Sequence, residues 1–233
     1  GALGYIGSEL CKLYSGFSWK YDIVAIDNRF ISERVNELKR RKIKFIQADI
    51  LDIDSIKPYI EKAEVIHHLA GITDVAYVKK ESDKAKDDLI EKVAIEGTAN
   101  VLKSMNADAT IVFPSTHVVF EGLKEQKENL DENEKTNTFL TYSTSKVENE
   151  NQIIKSGKKY AIFRLGSVYG FSTDTMRINI MPNLFSKIAS QNGKIKLFGG
   201  GVQLKSLVPL IDVTRCFKFV EEKEDFKNGI YNL

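Results

Sequence analysis

The chain of 233 residues is poor in several things at once. It has two cysteines, four prolines, three histidines and one tryptophan, and no apolar run approaches the length needed to cross a bilayer. Cys11 and Cys216 lie far apart, each among apolar neighbours, which predicts two buried thiols and not a disulfide or metal pair. His67 and His68 are adjacent, so on a strand they face opposite ways, and no third ligand has suitable spacing. No metal site is expected. A dominant charge is also lacking. The 34 basic side chains stand against 32 acidic ones, leaving +2 and no broad field to attract nucleic acid or anionic lipid. Lys39-Arg40-Arg41-Lys42 therefore reads as a solvated helix end. Neither nucleic acid nor membrane is expected as a partner, and a cytoplasmic location is the expectation.

What is present is a core and a rhythm. At 42% hydrophobic, the chain can bury one large domain and part of another. Apolar runs of strand length alternate with amphipathic stretches of helix length, the pattern of βαβ units in a doubly wound parallel sheet. Helices are predicted over 6–14, 32–41, 54–60 (capped by Asp54), 84–105, 142–156 and 179–191. Strands are predicted over 21–27, 44–47, 64–69, 110–113, 160–164, 207–210 and 229–233. The charged stretch 121–135 reads as an exposed loop without chemistry. The rhythm weakens past Gly170. This predicts a dinucleotide-binding domain over 1–170 and a smaller C-terminal substrate lobe over 171–233, with some segments returning to the first domain.

Gly1, Gly4 and Gly7 form Gly-x-x-Gly-x-x-Gly, and Asp27 ends the apolar run Ile23 to Ile26. Glycine is needed where backbone turns tightly, approaches a pyrophosphate and lets a helix pack closely on a strand. An acid some twenty residues on can hold a ribose diol. Arg29, just past that acid, could pair with a 2′-phosphate, whereas Asp27 would repel one; NAD is expected over NADP. Such a turn normally follows a buried strand. None precedes Gly1, and the strand-like 229–233 has no terminal element behind it, so both ends of the chain are expected to be truncated.

Tyr142 and Lys146 are four apart at the start of a predicted helix, on one face. A phenol with a pKa near 10 is a poor base at neutral pH unless a cation favours phenolate, and Lys146 is expected to lower the tyrosine's pKa. Pro114, Ser115 and Thr116 stand at the carboxyl end of the predicted strand 110–113, where open α/β sheets bind ligands. A hydroxyl there can bond the same substrate oxygen as the tyrosine. Thr116, Tyr142 and Lys146 with a dinucleotide turn amount to a hydride-transfer site.

With GALGYIG, Ile26-Asp27-Asn28, Ala48-Asp49-Ile50, His68-Leu69-Ala70-Gly71, Gly97-Thr98-Ala99-Asn100, Tyr142-Ser143-Thr144-Ser145-Lys146 and Arg164 to Gly170, the chain resembles an extended short-chain dehydrogenase/reductase of the nucleotide-sugar epimerase/dehydratase branch over essentially its whole length. The resemblance implies a Rossmann fold, NAD, a nucleotide-sugar substrate and a homodimer paired through the helices 84–105 and 142–156. It implies cofactor contacts at Gly1, Gly4, Tyr5, Ile6, Gly7, Asp27, Asn28, Arg29, Asp49, Ile50, Leu69, Ala70, Gly71, Pro114, Ser115, Tyr142, Lys146, Leu165, Gly166, Ser167 and Val168. Catalysis would fall to Thr116, Tyr142 and Lys146, and the substrate to Thr116, His117, Ser167, Asn179 and Lys205. Ser167 stands where many relatives have an asparagine, and Lys205 where an arginine is usual, which keeps the charge but loses the bidentate fork. The proline-rich approach to the tyrosine is replaced by 136–141, so substrate-loop geometry is expected to differ. The implied activity is an NAD-dependent epimerase working through a transient keto-sugar. A nucleotide-sugar reductase or hydroxysteroid-type dehydrogenase and a non-catalytic dinucleotide sensor are the alternatives.

Overall fold

The computed structural model of the chain describes residues 1–73, 83–125, 127–172, 174–223 and 225–233, excluding the side chains at 198 and 199. In chain order its elements are α1 (Tyr5–Ser15), β1 (Val24–Asp27), α2 (Ser32–Arg40), β2 (Lys44–Gln47), α3 (Ile53–Ile60), β3 (Val65–His67), α4 (Lys84–Ser104), β4 (Thr110–Thr116), α5 (Thr141–Lys155), β5 (Lys159–Leu165), β6 (Ser167–Tyr169), α6 (Met181–Ser190), β7 (Leu207–Pro209), α7 (Leu210–Glu222) and β8 (Gly229–Asn232). Among the described residues every strand pair is parallel: β1 with β2, β6 with β7, and a main sheet ordered β3-β4-β5-β8.

Alternation along the strands builds the two layers. Ile111 and Phe113 of β4 and Ile162 of β5 join a cluster with Ile56, Val101 and Ile153 from α3, α4 and α5. Val112, Ala161, Phe163 and Leu165 face the other way, onto Leu10 and Tyr14 of α1 and Val213, Phe217 and Val220 of α7. A period of two along the strands thus becomes helices on both faces of a parallel sheet. This is the doubly wound arrangement read from the sequence.

Several boundaries move. β2 covers the expected residues. β4 runs three residues further than expected, through Pro114 to Thr116, because its pairing with β5 continues in register to Thr116 opposite Leu165. Asp52, not Asp54, caps α3, its side chain accepting the Asp54 N–H at 3.2 Å. β6 and α7 are elements that the strand-and-helix rhythm did not predict. α7 begins where 207–210 reads as a strand: the strand stops at Pro209, and Leu210, Val213, Phe217 and Val220 make a helical stripe against α1. β8 pairs with β5, so α7 and β8 both return to the main sheet. Cys11 is buried and Cys216 half-buried, both as free thiols. No helix of the described residues is long and apolar enough to cross a membrane.

Two polar threads cross the core. Tyr14, His67 and Glu221 meet between α1, β3 and α7, with His67 Nε2 2.6 Å from Glu221 Oε1. On the other face His68 Nε2 and Thr98 Oγ1 are hydrogen-bonded at 2.9 Å, and Asn149 Nδ2 donates to Thr98 Oγ1 and to the Ala94 carbonyl. The second thread seats α5 on α4 behind the sheet edge.

Burial, reinforced by the Lys146 charge, lowers the His68 pKa to about 3. The unfolded chain therefore takes up a proton below about pH 6.5 that the folded chain refuses, and stability must fall as pH falls through that window. In denaturant titrations, the stability advantage of wild type over His68→Asn should shrink by about 2 kcal/mol between pH 7 and pH 5. A pH-independent difference would show that His68 is not held neutral.

Candidate active site

The glycine turn lies between the ends of two strands. The Ala2 N–H donates to the Ile26 carbonyl of β1 at 3.1 Å, and a Cβ on Gly1 would come within 2.4 Å of the Leu69 backbone beyond β3. Gly7 is equally constrained, since a Cβ there would lie 2.3 Å from the Gly1 carbonyl oxygen. These two glycines are dictated by close backbone approach. Gly4 caps α1 without a side-chain hydrogen bond, and no acidic residue stands in the first turn. No side chain of the turn competes there for an anion, which suits a pyrophosphate.

Asp27 is buried at the end of β1. Its Oδ2 accepts the Leu3 N–H at 3.0 Å and its Oδ1 accepts the Arg29 N–H at 3.1 Å, with Arg29 Nε 3.3 Å away. Burial acts to raise its pKa, while the Arg29 and Leu3 N–H donors and the Arg29 guanidinium act to lower it. The carboxylate thus ties the end of β1 to the glycine turn. Beside it Asn28 Nδ2 donates to Asp49 Oδ2 at 3.1 Å, and Asn100 Nδ2 fixes the Ile50 carbonyl at 2.9 Å. Tyr5 turns its hydroxyl away from the turn, onto the Gly170 carbonyl at 2.5 Å, with Asn183 of α6 beside it.

The other half of the site is built by β4, β5 and α5. Lys146 Nζ donates to the Pro114 carbonyl at 2.9 Å and lies 4.4 Å from the Phe113 ring centroid and 5.9 Å from that of Tyr142. Thr116 accepts the Val118 N–H at 3.2 Å, capping the turn 117–120, and its hydroxyl lies near enough to the Tyr142 phenol to favour the phenolate. Burial raises the Tyr142 pKa, while Arg177 and Thr116 pull it down, leaving it above the usual phenol value. This differs from the expected direction: the desolvation of a half-buried phenol outweighs its cationic surroundings, and the cation acting on it is Arg177. Burial likewise pulls Lys146 down to about 8, opposed by Glu150.

Toward the C-terminal side, β6 and β7 bring Ser167 beside Ser206, the Ser167 N–H donating to the Ser206 carbonyl at 2.8 Å, with Lys205 adjoining and exposed. His117 Nδ1 donates to the Leu165 carbonyl at 2.9 Å. Burial lowers its pKa and Lys205 adds to the effect, so the ring is neutral with a bare Nε2. Thr116, His117, Ser167 and Lys205 thus share one edge. Asn179 is exposed on the segment before α6, and Gly71 is exposed beyond β3.

Several organising residues escaped the sequence reading. Glu121, in the stretch read as a loop without chemistry, accepts the Phe139 and Leu140 N–H groups at 3.1 and 2.8 Å and the Ser143 hydroxyl, fixing the start of α5. Glu150 and Arg164 form a buried pair under the site. An acid before a helix was the available clue for Glu121. The pair is set by sheet register, which sequence spacing does not display.

Comparison with known proteins follows from this geometry. The chain matches the NAD dependent epimerase/dehydratase family over residues 1–233, and it belongs to that family. A Methanocaldococcus jannaschii protein provisionally assigned as a UDP-glucose 4-epimerase is 28% identical over 100% of this chain and 74% of its own. Two solved structures share the fold. One is UDP-glucuronic acid 4-epimerase from Bacillus cereus in complex with UDP-glucuronic acid and NAD, at TM-score 0.82, 23% identity, and coverage of 100% of this chain and 75% of that one. The other is UDP-glucose 4-epimerase from Thermotoga maritima with UDP-glucose, at TM-score 0.82, 22% identity, 100% and 74%. The chain spans about three quarters of both structures.

The turn's close packing has a measurable consequence. Gly7→Ala must displace backbone and should cost about 1–3 kcal/mol in chemical denaturation. Gly16→Ala, whose nearest contact would be an ordinary 3.4 Å, should lie within about 0.5 kcal/mol of wild type. Equal costs at both positions would contradict the close approach.

Proposed function

We propose that this member of the family is an NAD-dependent epimerase of a nucleotide-linked sugar, working through a transient ketone. The observation that carries the reading is the grouping of the Thr116 hydroxyl near the Tyr142 phenol, with Lys146 one turn along α5 and its Nζ 5.9 Å from the Tyr142 ring centroid. Tyr142 takes the proton of the sugar hydroxyl, and Thr116 holds the same oxygen in line. Lys146, as an ammonium, would bind the nicotinamide ribose, while Arg177 favours the phenolate that burial opposes. The glycine turn and Lys146 would hold NAD, whose nicotinamide would supply reversible hydride transfer at the carbinol carbon. Because Tyr142 keeps the proton nearby, it can return it to the oxygen when the ketone is reduced on its other face.

The cofactor reading extends to the glycine turn, Asp27, Asn28, Asp49, Ile50, Leu69 to Gly71 and Leu165 to Val168, with residues 1–170 serving the cofactor and 171–233 chiefly the substrate. Asp27 carries a full negative charge where a 2′-phosphate would lie, and its bonds to the turn keep it there, which favours NAD. Lys205 and Ser167 would meet the nucleotide diphosphate; that relatives act on UDP-sugars supports this class. His117, neutral, would accept a substrate hydroxyl at Nε2, and Asn179 would serve the same lobe. Leu89 of α4 and Ile154 of α5 are exposed apolar side chains on adjoining helices, which supports a homodimer through that pair.

The dehydratases that the chain resembles place an acid-base pair, Asp then Glu, directly after the threonine, where this chain has His117 and Val118. Val118 can transfer no proton, and loss of one positioned acid or base costs about 10²–10⁴-fold in rate. Incubation with NAD and UDP-glucose, UDP-glucuronic acid, UDP-N-acetylglucosamine and dTDP-glucose should give an epimer of at least one. Tyr142→Phe should slow this by about 10²-fold or more. Rapid formation of a 4-keto-6-deoxy product, or an oxidised sugar in step with released reduced cofactor, would overturn the epimerase reading.

A further inference from the structure

The Glu150–Arg164 pair lies beneath the site, with each side chain about 5% exposed or less. Glu150 is one helical turn beyond Lys146 and two beyond Tyr142. Its Oε1 accepts from Ser115 Oγ at 2.5 Å and from Arg164 Nε at 3.0 Å, while Oε2 accepts from Arg164 Nη2 at 2.8 Å. Arg164 is itself held by the Glu132 carbonyl and lies over the Phe120 ring, with its Cζ 5.3 Å from the ring centroid. Ser115 and Arg164 are cross-strand partners in the β4–β5 register, and Ser115 immediately precedes Thr116. One carboxylate therefore joins the helix bearing Tyr142 and Lys146 to the strand end bearing Thr116.

A buried ion pair is weak evidence of added stability, because desolvation consumes most of the attraction. Its placement here has another effect. The titratable and charged groups around Lys146 are His68 beyond β3, Tyr142 and Glu150 on α5, and Arg164 of β5 behind Glu150. His68 is neutral, and Glu150 is the charge that opposes desolvation of the ammonium. Of the two members of the pair, it is the Glu150 carboxylate that acts on the lysine.

We propose that Glu150 is a positioning residue of this site, fixing the spacing of Thr116 from Tyr142 through Ser115 and holding Lys146 in its ammonium form. The proposal rests on the reading of Thr116, Tyr142 and Lys146 as the reacting centre. Its test reads Lys146 directly, by pH titration of isotope-labelled lysine in NMR, the signal being identified by its loss in Lys146→Arg. Wild type should titrate near 8. Glu150→Gln should lower that midpoint by about one pH unit or more, an about tenfold smaller ammonium-to-amine ratio at fixed pH. Because Glu150→Gln leaves Arg164 unpaired and can unfold the chain, Glu150→Gln/Arg164→Met is measured beside it; it leaves no orphan cation and should shift the midpoint the same way by less. The alkaline limb of the turnover profile should move to lower pH in the folded variants. An unchanged Lys146 midpoint in whichever variants fold overturns the proposal. Absence of turnover in wild type would instead count against the epimerase reading, and the titration would still decide the role of Glu150.

Discussion

The parallel pairing of β4 with β5, unbroken from Thr110 opposite Lys159 to Thr116 opposite Leu165, is the constraint on which the rest depends. A one-residue slip would turn Ile111, Phe113 and Ile162 out of one core layer and Val112, Ala161 and Phe163 out of the other. It would also part Ser115 from Arg164 and remove the anchor beneath α5. The apolar layers fix the register, and the register delivers Thr116 to the sheet edge at which Tyr142 and Lys146 arrive from α5. Packing and chemistry are here the same arrangement seen from its two ends.

Desolvation acts on the two ionisable members of the site in opposite directions. It raises the Tyr142 phenol and pulls the Lys146 ammonium down to about 8. Each shift opposes charge, so a phenolate and an ammonium can coexist here only by supporting one another or through neighbours. Arg177 and the Thr116 hydroxyl supply that support to the tyrosine, and Glu150 supplies it to the lysine. With the phenol neutral and the lysine close to its titration point, the site is easily tipped by the arrival of a charged ligand. That property suits reversible proton transfer better than a permanently ionised pair would.

Sequence legibility followed how local each determinant is. The glycine turn could be read because close backbone approach at Gly1 and Gly7 admits no side chain, and β2 and α4 because their apolar spacing is unambiguous. Asp52 and Asp54 offered two carboxylates within one turn, and only backbone geometry chooses Asp52 as the cap. α7 carries a clear helical stripe, but Pro209 joins it to a strand of three residues and the apolar run reads through the junction. β6 is three residues long, too short for a period to declare itself. Thr116, Tyr142 and Lys146 were visible as types at a spacing. The bonds of Glu121 to α5 and of Glu150 to Arg164 and Ser115 were not, since they join segments that only folding brings together.

The central claim is that a hydride leaves and rejoins one carbon of the sugar while Tyr142 handles the proton. The direct measurement uses a nucleotide sugar carrying deuterium at the carbon that inverts, with product analysis by NMR. The account predicts an inverted product with the deuterium still on that carbon and none gained from solvent, and almost no product from Tyr142→Phe. Deuterium lost to water during inversion, or undiminished turnover by Tyr142→Phe, would contradict it.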